Sequence, residues 1–315
     1  MISESAILNC FQHLVDLNKD DIVIVGSGDD AAVIKSQEKD LVHSVDISKI
    51  NSHFPEDSMP QDIAYRSIAV ALSDLAAMGA YPVFISIGLT SNITDLKWYK
   101  QFTEGVEKIL NEYQLKLVGG DVTNVEISVC VNVFGYAYEK NILRSTAKVG
   151  DLIYVSGSLG SAAYGLELIK QNNSALRNDF TDAFLYPKPR NNEGCLIAKY
   201  ASAMIDISDG FFIDLQKISS HIGLGFTVDV SKLPIDANLI NELSVNRAIE
   251  YALSGGDDYE LCFTIPNQLE RQFCDELSSA SNLAFTCVGE ITESHQVLTK
   301  GNEIYDLPKE IFEHF

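Results

Sequence analysis

The sequence predicts an α/β protein of two domains, and three observations carry that expectation. Segments of strand period and helix period alternate along the chain. The pattern restarts after the connection Glu139–Gly150, where the composition changes. The chain has 315 residues, 46% apolar and 21% charged, a globular balance long enough for two cores. The expected domains are residues 1–145 and 146–315.

The elements follow in order. Ile7, Leu8, Phe11, Leu14 and Val15 share one helical face, with Ser3 placed to cap it. Val23–Val25 and Leu41–Val45 read as short strands around a loop. Residues 62–78 form an Ala-rich helix that Gly79 stops. Pro82–Leu89 reads as a buried strand. Residues 95–113 form an amphipathic helix with Trp98, Phe102, Val106 and Leu110 on its stripe. Ile127–Tyr138 is a long strand. In the second half Leu152–Ser156 is a strand, followed by a glycine turn and a helix over 161–170. Met204–Ile207, Phe226–Val230, Tyr259–Ile265 and Phe285–Ile291 read as strands, with a helix over 211–221. Val297–Ile304 reads as a hairpin turning at Lys300-Gly301.

Composition excludes several classes of function. Lys and Arg number 23 against 44 Asp and Glu, a formal net charge of −21. So acidic a chain, with no basic run, repels nucleic acid and anionic lipid. None of the six cysteines forms Cys-x-x-Cys or stands at zinc spacing from a histidine. Cys130 and Cys262 lie in apolar runs, where cysteine is a small core residue. MISESAILNC has no basic, then apolar, leader pattern, and no window approaches ~18 apolar residues. A cytoplasmic protein with reduced thiols is expected.

The informative feature is where the aspartates sit. Gly28-Asp29-Asp30 follows a strand, Asp46 ends one, and Gly119-Gly120-Asp121 follows Val118. Asp206-Ile207-Ser208-Asp209-Gly210 joins a strand to a helix, and Ser254-Gly255-Gly256-Asp257-Asp258 precedes another strand. Each motif alone reads equally as turn or cap chemistry. Together they resemble the short oxygen ligands that magnesium prefers, with glycines that let a ligand approach the backbone. Asp74 is different, because it lies inside the helix Ile68–Met78 among apolar and small neighbours. A buried carboxylate near a helix C-terminus needs a cation. That cation is either a metal or Arg66, about two turns earlier. Clustered carboxylates with anionic substrates point to magnesium–nucleotide chemistry. Ser156-Gly157-Ser158-Leu159-Gly160 resembles a phosphate-cradling turn but lacks the Walker Lys-Ser/Thr and the full dinucleotide spacing, and it reads first as simple strand–turn–helix packing. His43, within a strand, reads as packing; His53, in a loop, and Arg144 read either as surface groups or as ligand contacts. No Ser-His-Asp arrangement or HExxH is present.

The ordered motifs GSGDDAAVI, SVDISKINSHF, AYRSIAVALSDLAAMGAYP, LVGGDVT, ILRSTAKVGD, IDISDGFFIDL and LSGGDDYELCFT resemble the thiamine-monophosphate kinase family, from about residue 4 to the C-terminus. Wider relatives are the aminoimidazole-ribonucleotide synthetases and the selenophosphate synthetases. The latter carry a reactive residue in an N-terminal glycine-rich loop, whereas Cys10 lies in a helix pattern.

The resemblance implies a two-domain aminoimidazole-ribonucleotide synthetase-like fold, its N-terminal domain pairing strands with a second copy and ATP lying in the cleft. It implies ATP-dependent phosphorylation of thiamine monophosphate to thiamine diphosphate, with several Mg²⁺ ions. The implied metal ligands are Asp30, Ser44, Asp46, Asp74, Asp121, Asp206 and Asp209. Nucleotide contacts fall on Gly120, Asp121, Arg144 and Ser208, and thiamine-phosphate contacts on His53, Asp257 and Phe312. Val45 stands where the family often has Thr, and Asp257 where it often has Glu, one methylene longer. No general base is expected, since the acceptor phosphate is largely ionised at neutral pH (second pKa ~6). A homodimer is expected from the resemblance and from the strands Pro82–Leu89 and Ile127–Tyr138, read as leaving edges to cover. The alternatives are another ATP-using enzyme of the same superfamily and a non-catalytic nucleotide- or metal-binding relative. The latter should have lost some of the metal-matched aspartates, and none is missing here.

Overall fold

A computed structural model describes residues 4–16, 22–25, 32–35, 37–172, 175–220 and 223–307. The chain divides into two compact units. One holds the chain up to Leu75, Tyr81–Ala137 and Ile169–Leu176; the other holds Ala76–Ala80, Tyr138–Leu168 and the chain from Arg177 onward.

The first part of the chain runs α1 (Glu4–Asp16), β1 (Val23–Val25), β2 (Val33–Ile34), β3 (Leu41–Lys49), α2 (Pro60–Ala77), β4 (Ala80–Thr90), α3 (Leu96–Tyr113), β5 (Lys116–Thr123) and β6 (Ser128–Ala137). β1 and β2 form a small antiparallel ribbon, and the others form a sheet in the order β3-β6-β4-β5. β3 and β6 are antiparallel from Leu41↔Tyr136 to Lys49↔Ser128, while β4 and β5 are parallel. Pro60 opens α2, where its missing N–H costs nothing, and Gly79 turns the chain beyond its end at φ +67°. Ile63, Ala64, Ile68, Ala69, Leu72, Leu75 and Ala76 of α2 are all buried, and its charged residues Asp62 and Arg66 are buried with them. Asp95 caps α3 by accepting from the Lys97 N–H, and Gln114 closes it in the left-handed region.

Three expectations change here. β3 runs on to Lys49, so Asp46 lies within the strand, not at its end. The stripe of α3 buries Tyr99, whose hydroxyl donates to the Ile93 carbonyl, while Trp98 lies half-buried, stacked on Phe102. The strands expected to leave open edges are interior, because β6 lies between β3 and β4, and β4 between β6 and β5. Their long apolar runs mark central strands; β3 and β5 are the edges among the described residues.

The rest of the chain runs β7 (Asp151–Ser156), α4 (Ser161–Gln171), α5 (Asp179–Leu185), α6 (Asn191–Ile197), β8 (Ala203–Asp206), α7 (Phe211–Ser220), β9 (Gly225–Asp229), α8 (Ala237–Glu242), α9 (Val245–Ser254), β10 (Leu261–Pro266), α10 (Glu270–Ala280), β11 (Phe285–Thr292), β12 (Gln296–Lys300) and β13 (Glu303–Ile304). Its sheet has the order β13-β12-β9-β11-β7-β10-β8, and only the β12–β9 pair is parallel. Alternate residues sort into two cores. Ile153, Val155 and Cys262 pack in one cluster with Phe211, Leu215, Ile249 and Leu253. Tyr154, Leu261, Phe263 and Ile265 pack in the other with Ile197, Phe273 and Leu277. The sheet is thus covered by helices on both faces, α7 and α9 on one and α6 and α10 on the other. β10 begins at Leu261 rather than Tyr259, because Asp257 and Tyr259 have φ +72° and +51°, outside strand geometry. The hairpin turns as expected, with Gly301 at φ +63°.

Candidate active site

In the first unit the period of two in β3 sets Ser44 and Asp46 on one face and Val45 and Ile47 on the other, which is exposed. The Ser44 hydroxyl donates to Asp74 Oδ2 at 2.5 Å. Asp46 Oδ1 accepts from the Ile47 N–H at 2.7 Å. Burial pushes the Asp74 carboxyl above the ordinary aspartate pKa; the Ser44 hydrogen bond opposes this, and the negative charge of Asp46 adds to it. Among the described residues no Lys or Arg pairs with either carboxylate. Arg66 is not the partner of Asp74: eight residues span about 12 Å of helix, and its Nε donates to the His53 carbonyl. The donor set of two acidic side chains and a hydroxyl therefore fits a hard cation. Among the described residues no group of three or more His, Cys, Asp or Glu side chains could hold a metal alone. Magnesium commonly takes only one or two carboxylates and completes its shell with phosphate oxygens and water.

Gly119, Gly120 and Asp121 lie inside β5, not on a turn after it. A Cβ on Gly120 would stand 2.5 Å from the Ile87 carbonyl oxygen, so the glycine is what lets β5 lie this close to β4. Asp121 is exposed on that edge strand. His53 follows β3 and accepts from the Lys49 N–H through Nδ1 at 3.0 Å. His43 stacks on Phe134, as packing. Asp30 and Phe312 lie outside the described residues.

In the second unit Asp206 ends β8 and is buried, and Ile207–Gly210 turns the chain into α7. Gly210 sits at φ +112° against the Ser254 backbone. The loop before β10 is tied to this turn, since the Asp257 N–H donates to the Ser208 carbonyl and the Tyr259 N–H to the Ile207 carbonyl, both at 2.9 Å. The structure thus brings Asp206, Ser208, Asp209 and Asp257 together on paired strand ends, where Leu261 lies opposite Asp206. Arg144 is exposed in the connection between β6 and β7.

Several residues of this region escape sequence reasoning. Asp214 Oδ2 accepts the N–H groups of both Ser208 and Asp209 at 2.9 Å. Lys217 Nζ reaches Asp209 Oδ2 at 2.6 Å and Asp214 Oδ1 at 2.7 Å. The i,i+3 spacing of Asp214 and Lys217 on a helix was the available signal. Asp258 is half-buried and accepts from the Gly160 N–H at 2.7 Å and the Ala162 N–H at 3.4 Å. The glycine turn after β7 therefore presents its helix N-terminus to a protein carboxylate, in line with the packing reading of this turn rather than the phosphate-cradling one. Arg190 grips Glu260 through Nε at 2.8 Å and through a terminal nitrogen at 2.5 Å, and Ser156 donates to the same carboxylate at 2.5 Å. No local pattern could announce a pair 70 residues apart.

Comparisons with known proteins show the family and the fold. Residues 28–137 match the family model of the AIR synthase related protein, N-terminal domain, and residues 148–300 that of the AIR synthase related protein, C-terminal domain. The thiamine-monophosphate kinase of Buchnera aphidicola subsp. Acyrthosiphon pisum is 37% identical, over 94% of each chain. The crystal structure of thiamine-monophosphate kinase from Stenotrophomonas maltophilia superposes with a TM-score of 0.86 at 32% identity, covering 96% of this chain and 98% of that one. AaThiL complexed with AMPPCP and TMP superposes with a TM-score of 0.74 at 25% identity, covering 97% and 98%.

Proposed function

The chain belongs to the thiamine-monophosphate kinase family, and from that premise we propose the chemistry of its site. The protein phosphorylates thiamine monophosphate to thiamine diphosphate with ATP, a step of thiamine diphosphate biosynthesis. The observation that carries the metal-assisted form of this reading is the Asp46–Asp74 pair, two carboxylates with a hydroxyl between strand and helix and no pairing cation among the described residues.

Ser44, Asp46, Asp74 and Asp121 in the first unit and Asp206 and Asp209 in the second are the proposed Mg²⁺ ligands, with Asp30 added by family resemblance. When bound, Mg²⁺ neutralises the phosphate oxygens of ATP and of the acceptor. The chain's own residues do the positioning. Gly120 lets β5 lie against β4 and so sets where Asp121 stands, Ser208 offers a hydroxyl at the turn, and Arg144 is an exposed guanidinium for a phosphate. His53 and Asp257 address the acceptor, with Phe312 as the aromatic partner by resemblance. The Asp257 side chain is one methylene short of glutamate, and its positive φ fixes where that shorter side chain starts. An ionised acceptor phosphate attacks the γ-phosphorus in line, so no side chain has to remove a proton. Two copies of the chain meet through the first unit, where β3 is an edge strand among the described residues and exposes Leu41, Val45 and Ile47. A cytoplasmic location fits the reduced cysteines, and among the described residues no helix is long and apolar enough to cross a membrane.

The test is incubation with ATP, Mg²⁺ and thiamine monophosphate, followed by chromatography. Thiamine diphosphate and ADP are expected in equal amounts, and a chelator should stop both. Absence of thiamine diphosphate would overturn the kinase reading; turnover undiminished by chelation would overturn the metal.

A further inference from the structure

Lys217 and Asp214 belong to α7, yet both act on the turn before it. The Asp214 side chain is 1% exposed and accepts two successive turn N–H groups on one oxygen and Lys217 on the other. It is an anchored group. Lys217 and Asp209 are 35% and 25% exposed, so their 2.6 Å contact sits where water and ions arrive. Lysine brings a compact point charge on a flexible stem. The oxygen it holds, Asp209 Oδ2, is a hard donor of the kind a divalent cation takes, and an ammonium against it blocks that lone pair and repels a second cation. When the contact breaks, Lys217 still has Asp214 and is not left unpaired.

We propose that Lys217 is the built-in counter-ion of Asp209, which a divalent cation has to displace, and that it thereby sets the metal affinity of this turn. The inference rests on the reading of Asp209 as a metal ligand and adds what opposes the metal there.

The test is calorimetric titration of nucleotide-free protein with Mg²⁺, comparing wild type with Lys217→Met, Lys217→Gln, Lys217→Arg and Asp209→Asn. Lys217→Met and Lys217→Gln should bind Mg²⁺ roughly two- to fivefold more tightly, the range of a partly exposed ion pair. Their metal-free melting temperatures should fall, and Mg²⁺ should raise them more than it raises the wild type's. Lys217→Arg keeps the charge and should not tighten binding. Unchanged or weaker Mg²⁺ affinity in whichever neutral variant folds, with Asp209→Asn weakened, overturns the role of Lys217 alone. Equal tightening in Lys217→Arg also overturns it, since loosened packing would then be the cause. Mg²⁺ binding unaffected by Asp209→Asn overturns the metal reading of Asp209 together with this one.

Discussion

Asp74 gains a hydroxyl donor from Ser44 but no Lys or Arg partner among the described residues, and its neighbours Leu72, Leu75 and Ala76 are buried and apolar. Its carboxyl titrates higher in the folded chain than in the unfolded one, mainly through burial. The folded state thus holds this proton more tightly. Its contribution to stability is favourable below the ordinary aspartate value of ~3.9 and is lost as pH rises through the raised folded value. In chelator, Asp74→Asn should melt above wild type near pH 7, and the difference should vanish below about pH 4. Turnover should fall by about 100-fold or more, as when a charge-stabilising group is removed. A lower melting temperature for the variant near neutrality would instead mark Asp74 as structural. Asp209→Asn should also stay folded and demand a higher Mg²⁺ concentration for half-maximal rate, measured by titrating Mg²⁺ at saturating ATP. Sequence alone singled out Asp74, because a carboxylate in the apolar and small segment Ile68–Met78 stands out. It did not reveal Lys217, because its importance lies in which oxygens it touches.

At the scale of elements, α4 and β10 are held by two carboxylates from one short segment, the half-buried Asp258 and the buried Glu260. Asp258 caps α4, so Asp258→Ala should cost about 1–2 kcal/mol, read as a lower urea midpoint, while Asp258→Asn keeps an acceptor and should cost less. Glu260 meets Arg190 at the start of α6 and Ser156 at the end of β7. Arg190→Met leaves a carboxylate buried without its cation and should cost about 3–5 kcal/mol; Arg190→Met with Glu260→Gln should recover much of that loss. Denaturant melts of the single and double variants check this coupling. Gly157 belongs to the same arrangement: it sits at φ +57°, and a Cβ there would stand 2.0 Å from Glu260 Oε1. Strand and helix periods showed where most of these elements lie. The short helices α5, α6 and α8 were not legible, because six or seven residues give too few turns for a period.

For the whole molecule, the exposed face of β3, an edge strand among the described residues, presents Leu41, Val45 and Ile47, with Val45 and Ile47 53% and 55% exposed. Sedimentation equilibrium should give twice the 34.7 kDa chain mass. Ile47→Lys or Val45→Lys should shift the equilibrium toward the single chain, by placing a charge on an apolar contact. The net charge of −21 opposes association of like chains, so the dimer should tighten as salt rises. A concentration-independent single-chain mass at high salt would exclude the dimer.

The sequence by itself determined the alternation of elements, the family, and the residue types of the site, because periodicity, turn chemistry and isolated buried charges are local properties. It placed Ser44, Asp46 and Asp74 on the page; the extension of β3 to Lys49 brings Asp46 into the strand on the face of Ser44, and tertiary packing sets Ser44 on Asp74. It marked Gly119-Gly120-Asp121 as special; the register of β5 beside Ile87 made it a strand rather than a turn. Edge and centre were exchanged for the same reason. Which strand lies beside which, which carboxylate caps α4, and which ammonium faces Asp209 depend on groups far apart in the chain, and only their packing into one structure brings those charges within hydrogen-bonding range.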